Sequence, residues 1–257
     1  MGGEHQRSNR GNRYDPLNRR RYLVATAGIA ALSGCLGDSG GTPTATETST
    51  DGELPAGVSR DEFENGPVPQ AYRTATSLGD EQRDPEDVTA KSAVSFSEYE
   101  EAVENGAHEP GTCCANCADY IIDRNGDAFG ACAEVQGYID GEDWCTVYEE
   151  LPEPEVPEGM EEDELATAEV PEAYRAASSQ GGEERNPDDL MTQAEVSLQE
   201  SVEAIADGPA SPGQSCGNCA EFIPDGNGDT WGACAKVEGY VAVEDWCTVW
   251  EHVSAEL

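Results

Sequence analysis

The sequence is poor in basic side chains. Its 257 residues include 14 lysines and arginines against 53 aspartates and glutamates, so the formal net charge is −39. Lys91 and Lys236 are the only lysines in the chain. Binding to nucleic acids needs a cationic surface, so this composition excludes DNA and RNA as partners. The same charge opposes adsorption to an anionic lipid leaflet by electrostatic attraction alone.

Histidines and long apolar runs are also scarce. The three histidines, His5, His108 and His252, belong to no catalytic pattern. No Ser-His-Asp or paired-carboxylate arrangement stands out from the acidic background, so the sequence offers no argument for an enzyme. The apolar run "VATAGIAALSG" at residues 24–34 is too short to be a stable membrane span.

The excess of negative charge bears on whether the chain folds. Self-repulsion of this size opposes a compact state unless salt screens it. Intrinsic disorder is the alternative. Tryptophans, tyrosines and cysteines recur at ordered positions, however, and we therefore expect a folded, halophilic protein of the haloarchaeal type.

The N-terminal segment differs in charge from the rest of the chain, with six arginines in residues 1–34. An arginine pair, the short apolar run and "LSGC", which ends at Cys35, together resemble a twin-arginine signal with a lipobox. We expect residues 1–35 to be this signal, with Cys35 lipidated, and the Thr/Gly-rich residues 36–53 to be a tether. The protein would then lie on the extracytoplasmic face of the cell membrane, held by its lipid.

The remainder of the chain is a duplication. An ungapped offset of 102 residues aligns residues 54–151, named copy 1, with residues 167–257, named copy 2. A Pro/Glu-rich linker, residues 152–166, separates them and is expected to be extended and solvated. We expect each copy to be a domain of its own.

Each copy is small enough that a covalent or metal staple would support its core. Short helices are predicted over 69–78 and 97–104 in copy 1, with counterparts over 171–179 and 198–206 in copy 2. "DRNGD" and "DGNGD" predict turns, and the alternation near Tyr138 and Tyr240 predicts short strands or a hairpin. The predicted fold class is small α+β, rich in loops, centred on the cysteines and present twice.

Four cysteines recur in both copies with the spacing C-x2-C-x14-C-x12-C. Two disulfides would suit an exported protein. Zinc usually takes paired C-x2-C knuckles, whereas the third and fourth cysteines here have twelve residues between them. A redox dithiol would leave two cysteines without a role. We favour an iron–sulfur cluster, which would use all four, and retain the other three as alternatives.

Aromatic residues flank most of these thiols. Rings at such positions would form a water-excluding shell around whatever the thiols hold, or the core of a small domain, or both. The residues are Tyr120, Phe129, Trp144 and Tyr148 in copy 1 and Phe222, Trp231, Trp246 and Trp250 in copy 2.

These patterns, "CANC…FGAC…G…DWCTVY" and "CGNC…WGAC…G…DWCTVW", resemble the high-potential iron–sulfur proteins. Tyr72 and Tyr174 occupy the place of the tyrosine that this family packs on its cluster, whereas Val135 and Val237 stand where the family often has an aromatic residue. The resemblance implies two [4Fe–4S] clusters, each cycling one electron, held by Cys114, Cys117, Cys132 and Cys145 in copy 1 and by Cys216, Cys219, Cys234 and Cys247 in copy 2.

We therefore expect an electron-transfer protein and not an enzyme. It would be a membrane-anchored one-electron carrier that serves respiratory or other redox proteins in the membrane or outside it. The alternative is a disulfide-stabilised surface binding lipoprotein without a cluster, and a second rival is an iron-oxidising enzyme. Cys113 is not expected to be a ligand, because its counterpart in copy 2 is Ser215.

Overall fold

The computed structural model describes residues 54–253. The predicted twin-arginine signal, lipobox and tether, residues 1–53, lie outside the described residues, and so do residues 254–257. Across 54–253, no helix has both the length and the apolar character needed to cross a membrane.

Short helices and two-residue strands alternate with long loops in both copies, as predicted for a small α+β fold. In chain order the helices and strands are α1 (Arg60–Asn65), α2 (Tyr99–Val103), β1 (Tyr120–Ile121), β2 (Ala131–Cys132), β3 (Gln199–Glu200), α3 (Ser201–Asp207), β4 (Phe222–Ile223), β5 (Ala233–Cys234) and β6 (Asp245–Trp246). The 3-10 turns are Gln70–Tyr72, Lys91–Ala93, Cys114–Asn116, Glu162–Glu164, Glu172–Tyr174 and Cys216–Asn218.

The helix predictions are confirmed in part. The segments 97–104 and 198–206 contain α2 and α3. The predicted helices 69–78 and 171–179 are wrong, because each is only one 3-10 turn at its start. The chain then reverses: Thr76 bridges Gln82 in an antiparallel pair, and Ser178 bridges Glu184 in the same way. Tertiary pairing outweighs local helix propensity here.

Strand pairing places the third cysteine of each copy. β1 and β2 are antiparallel, with Tyr120 opposite Cys132, and β4 and β5 repeat this with Phe222 opposite Cys234. Of the predicted short strands or hairpin, short pairings form without a local hairpin: Ile139 bridges Gly130, Val241 bridges Gly232, and β6 pairs with the distant β3. Partners far along the chain decide the strands of so small a fold.

The predicted turn at "DRNGD" is present and is closed by its first aspartate. The Asp123 carboxylate accepts the N–H groups of Asn125, Gly126 and Ala128, each at 2.9 Å. Asp225 holds the equivalent turn of copy 2 through three similar bonds. Such aspartate-to-backbone bonds are the usual reason that aspartate starts a turn.

The Pro/Glu linker is more structured than predicted. Leu165 is buried, and its carbonyl accepts the Tyr240 N–H at 3.0 Å. In copy 1 the Phe63 carbonyl of α1 accepts the Tyr138 N–H at 2.9 Å. The end of the linker therefore accepts the Tyr240 N–H in copy 2, as α1 accepts the Tyr138 N–H in copy 1. The offset of 102 extends to this segment, since Asp61-Glu62-Phe63 aligns with Asp163-Glu164-Leu165, but its acidic composition made it resemble a linker.

Both copies belong to one compact unit. An apolar cluster spans them, with Cys113 and Ala115 from copy 1 and Ala204, Ile205 and Trp246 from copy 2. The copies therefore share part of their buried core, in addition to the core that each builds around its own cysteines.

Candidate metal centres

The four repeated thiols of each copy converge on one small enclosed cavity. Cavity 1 is lined by the copy 1 cysteines with Phe96, Asp119, Tyr120, Val135, Ile139 and Val147. Cavity 2 is lined by the copy 2 cysteines with Leu198, Glu221, Phe222, Val237, Val241 and Val249, every one a counterpart at the offset of 102. All eight of these cysteines are buried. Tertiary folding has thus produced the same enclosure twice.

The first two cysteines of each copy lie on a 3-10 turn that an asparagine holds in shape. In copy 1 the Asn116 Oδ1 accepts the Cys113 N–H at 2.9 Å, and its Nδ2 donates to the Gly111 carbonyl at 3.0 Å. Asn218 makes the equivalent bonds to Ser215 and Gly213 in copy 2. Each asparagine therefore braces a C-x2-C turn from within, a role that the spacing of the cysteines did not reveal.

A buried arginine supports the third cysteine. The Arg83 Nη1 donates to the carbonyls of Cys132 and, at 2.8 Å, of Val135. Arg185 does the same for Cys234 and Val237. Both arginines are 4% exposed, and burial lowers the pKa of each. Their match at the offset of 102 was visible in the sequence, but a buried role for a charged side chain was not.

The fourth cysteine follows a tryptophan that is tied to the start of α2. Ser97 and Trp144 exchange two backbone hydrogen bonds, of 2.9 and 3.0 Å. One residue after Cys145, the Thr146 N–H and hydroxyl both donate to the Val94 carbonyl, at 2.9 and 2.8 Å. These bonds on both sides fix the backbone that carries the thiol.

The thiols themselves lie in an environment that resists their ionisation. Burial raises the pKa of Cys132 to about 12, of Cys234 to about 11 and of Cys247 to about 12. Backbone N–H groups offset this only in part; the Glu134 N–H lies 3.4 Å from the Cys132 Sγ, and the Lys236 N–H lies 3.4 Å from the Cys234 Sγ. Four thiolates enclosed together need bound cations to balance them, so the donor set fits a metal centre.

The arrangement bears on which metal centre fits. None of the nine cysteines in residues 54–253 is in a disulfide. Within the same residues, no three side chains of His, Cys, Asp or Glu are grouped so that they could hold a single ion. The four thiols of each copy line a common cavity, which leaves room between them. This favours a group with several metal atoms over mononuclear zinc.

Four of the ten predicted aromatic residues adjoin the cysteines directly. Tyr120 and Phe222 line the cavities. Tyr148 and Trp250 pack at the edge of the two cysteine clusters, where the Tyr148 hydroxyl donates to the Asn116 carbonyl at 3.1 Å. The Trp250 Nε1 donates to the Ser215 carbonyl at 2.8 Å.

The other six aromatic residues lie one layer further out, in neighbouring apolar clusters: Tyr72 and Phe129, Tyr174, Trp231 and Trp246, with Trp144 edge-on to His108. The Tyr72 hydroxyl accepts the Arg124 N–H at 2.9 Å and lies 2.6 Å from Asn125 Oδ1, so it closes the turn that Asp123 begins. The Tyr174 hydroxyl accepts the Gly226 N–H in the equivalent turn. These two tyrosines support the outside of the enclosure.

The cavity walls also contain residues that the sequence pattern did not single out. Phe96 and Leu198 are counterparts, as are Ile139 and Val241, and each pair lines its cavity. Val135 and Val237 line them too, at the positions where an aromatic residue was noted as missing. Their shared offset of 102 was the available signal, yet apolar residues recur for packing alone.

The two lysines lie near different sites. In copy 1 the Lys91 Nζ donates to the Tyr138 carbonyl and lies 4.4 Å from the centre of the Phe96 ring. In copy 2 the Lys236 Nζ pairs with Glu221 at 2.5 Å and with Glu183 at 3.4 Å. Lys91 therefore faces aromatic surface beside cavity 1 with the charge of Asp143 nearby, whereas Lys236 forms ion pairs with two carboxylates.

Cys113 lies at the contact between the copies and does not line cavity 1. It is fully buried, its Sγ accepts the Gly213 N–H at 3.4 Å, and burial raises the pKa of the thiol to about 11. Its counterpart Ser215 occupies the matching place and donates its hydroxyl to the Ala115 carbonyl at 2.8 Å.

Comparison with known proteins agrees with this geometry. A family model described as "High potential iron-sulfur protein" matches residues 82–152 and 192–254, one region in each copy and just over half of the chain in total. The two regions contain all eight cavity cysteines. No curated protein and no solved structure matched the chain. The chain therefore belongs to the high-potential iron–sulfur protein family, whose members are iron–sulfur electron carriers, and it contains the region characteristic of that family twice.

Proposed function

We propose that the chain is a one-electron carrier with one [4Fe–4S] cluster in each copy. The observation that carries this proposal is the enclosure of four thiols in one apolar cavity, twice, inside the two regions matched by the family. Cys114, Cys117, Cys132 and Cys145 would hold one cluster, and Cys216, Cys219, Cys234 and Cys247 the other. When bound, such a cluster supplies reversible exchange of a single electron.

The residues around each cavity would set the reduction potential of the cluster. Apolar walls exclude water, and the backbone N–H groups near the sulfurs do not offset the burial of the thiols. An environment of this kind penalises additional negative charge. The walls would therefore favour the less negative couple, toward the upper end of the range of about −700 to +450 mV for iron–sulfur clusters.

The surroundings would also hold the ligands in place during electron exchange. The asparagine-braced turns, the buried arginines and the bonds around the fourth cysteine fix the backbone of the ligands in each copy. Rigid ligands keep the geometry of the two oxidation states alike, which suits an electron carrier.

We further propose that the carrier works outside the cell membrane, tethered by a lipid on Cys35. The support is the N-terminal sequence, with its arginine pair, short apolar run and lipobox, followed by the Thr/Gly-rich residues 36–53. A lipid tether would raise the local concentration of the carrier near redox proteins of the membrane or exported ones, which would be its electron donors and acceptors.

Iron analysis of the folded protein, purified in concentrated salt, tests the proposed function. We expect about eight iron atoms per chain and a visible absorption band that changes reversibly on oxidation and reduction. The variant Cys113→Ser is the matched control and should retain all the iron, because it introduces the residue already present at position 215. A colourless protein without iron would contradict the proposal.

A further inference from the structure

The turns that carry the first two cysteines of each copy pack against one another. Cys114–Asn116 contacts Cys216–Asn218 directly. The Ser215 hydroxyl donates to the Ala115 carbonyl at 2.8 Å, between the first two cysteines of copy 1. The Ser215 side chain, next to Cys216, therefore joins the two cysteine-bearing turns by a direct hydrogen bond.

A single side chain also bridges the two sites. Leu78 packs against the cysteine cluster of copy 1. A Cβ atom added at Gly217 would lie 3.0 Å from both methyl carbons of Leu78 and 2.9 Å from the Val243 Cγ2. Gly217 lies between the first two cysteines of copy 2, and Val243 packs against the cysteine cluster of that copy. The absence of a side chain at position 217 permits this close approach.

The cavities also adjoin a common cleft. Tyr120 lines cavity 1 and Phe222 lines cavity 2, and both residues line one cleft of about 340 Å³ together with Leu78, Gly217 and Val243. Each cavity therefore shares an aromatic residue with the same cleft. The cysteine turns of the two copies meet, and both cavities adjoin this cleft, within one folded unit.

We propose that the two copies exchange an electron directly through the contact of Leu78 with Gly217 and of Ala115 with Ser215. This inference rests on the proposed function. One electron would pass from a reduced cluster held by the cysteines of one copy to an oxidised cluster held by those of the other; no bond would form or break, and no proton would move. A redox partner then needs to reach only one copy to load or unload both.

Magnetic resonance of the complete holoprotein tests this without relying on activity. The variants Cys132→Ser and Cys234→Ser supply the spectra of the single centres. With both centres in their paramagnetic state, we expect the spectrum of the unmodified chain to show a magnetic interaction that the sum of the two single-centre spectra lacks. Equality with that sum would overturn the proposal. Absence of iron would instead refute the proposed function itself, so the two failures are distinguishable.

Flash reduction provides a kinetic test. With less than one electron delivered per chain, we expect the electron to redistribute between the centres at a rate independent of protein concentration. A rate proportional to concentration would indicate exchange between molecules and would overturn the proposal. The variant Gly217→Val should slow the redistribution by displacing Leu78, whereas Gly106→Val, at a site with nothing within 4 Å, should not. If Gly217→Val retains both centres and redistributes the electron at an unchanged rate, the proposed path through Leu78 and Gly217 is wrong.

Discussion

Copy 1 and copy 2 enclose their thiols alike but differ in the charge that surrounds them. In copy 1 the Lys91 ammonium donates to the Tyr138 carbonyl. In copy 2 the same place is taken by Gln193, whose Nε2 donates to the Tyr240 carbonyl at 2.7 Å. The two copies thus share this hydrogen bond but differ by one positive charge, so the same geometry is combined with different electrostatics.

The second lysine also gives the two copies different charges, but here the lysine is in copy 2. Lys236 of copy 2 has Glu134 as its counterpart in copy 1. Lys236 pairs with the buried Glu221, whereas burial and the charges of Glu134 and Glu149 raise the pKa of Asp119, the counterpart of Glu221, to about 6. The two centres would therefore differ in reduction potential although their ligands are the same.

Removal of a cysteine ligand should make the largest difference between the two copies, because only one of them would lose its iron. We expect Cys132→Ser and Cys234→Ser each to lose about half of the iron, because each cavity holds its own cluster. Iron analysis and visible absorption of the purified variants measure this. Loss of all the iron, or of none, would contradict the assignment of one independent ligand set to each copy.

The buried arginines should show where the copies are equivalent. We expect Arg83→Met and Arg185→Met each to lower the free energy of unfolding by about 2–4 kcal/mol, because each leaves two buried carbonyls without a donor. Denaturant unfolding of the holoproteins measures the effect. The exposed Arg73→Met is the control and should change stability little. A large difference between the two buried variants would show that the copies depend on their arginines unequally.

A reciprocal exchange at the lysine position should sharpen the electrostatic comparison. Reduction adds negative charge, so we expect Lys91→Gln to lower the potential of the copy 1 centre and Gln193→Lys to raise that of copy 2. An interaction of about 1 kcal/mol corresponds to roughly 40 mV for a one-electron couple, and concentrated salt reduces it. Potentiometric titration in the matching single-centre backgrounds measures each shift. Unchanged potentials would show that Lys91 serves only to hold Tyr138.

A smaller, pH-dependent difference is expected at Glu200, where burial and nearby carboxylates raise the pKa to about 7. A raised pKa contributes stability at low pH that is lost as pH rises toward 7. We therefore expect Glu200→Gln to raise the melting temperature at pH 8 but little at pH 5. The exposed counterpart variant Glu98→Gln should have little effect at either pH. An equal gain for Glu200→Gln at both pH values would contradict this explanation.

Much of the candidate site could be predicted from the sequence because the two copies can be aligned with each other. Spacing retained between the copies identified the four cysteines, and the turn at Asp123 follows from local chemistry. The helix predicted over 69–78 failed because Thr76 pairs with Gln82, a contact that local propensity does not contain. Phe96 and Leu198 were missed because an apolar residue is not marked as a cavity wall until its neighbours are known.

The sequence by itself determined the duplication, the cysteine spacing, the acidic character and the family pattern, since each depends on residue identity and order. Tertiary structure alone decided which side chains enclose the thiols and that Arg83 and Arg185 are buried beneath the third cysteine. It also decided that the turns of Ala115 and Gly217 meet. These features depend on contacts between residues far apart in the chain. Burial gives those residues roles that cannot be read from their positions in the sequence.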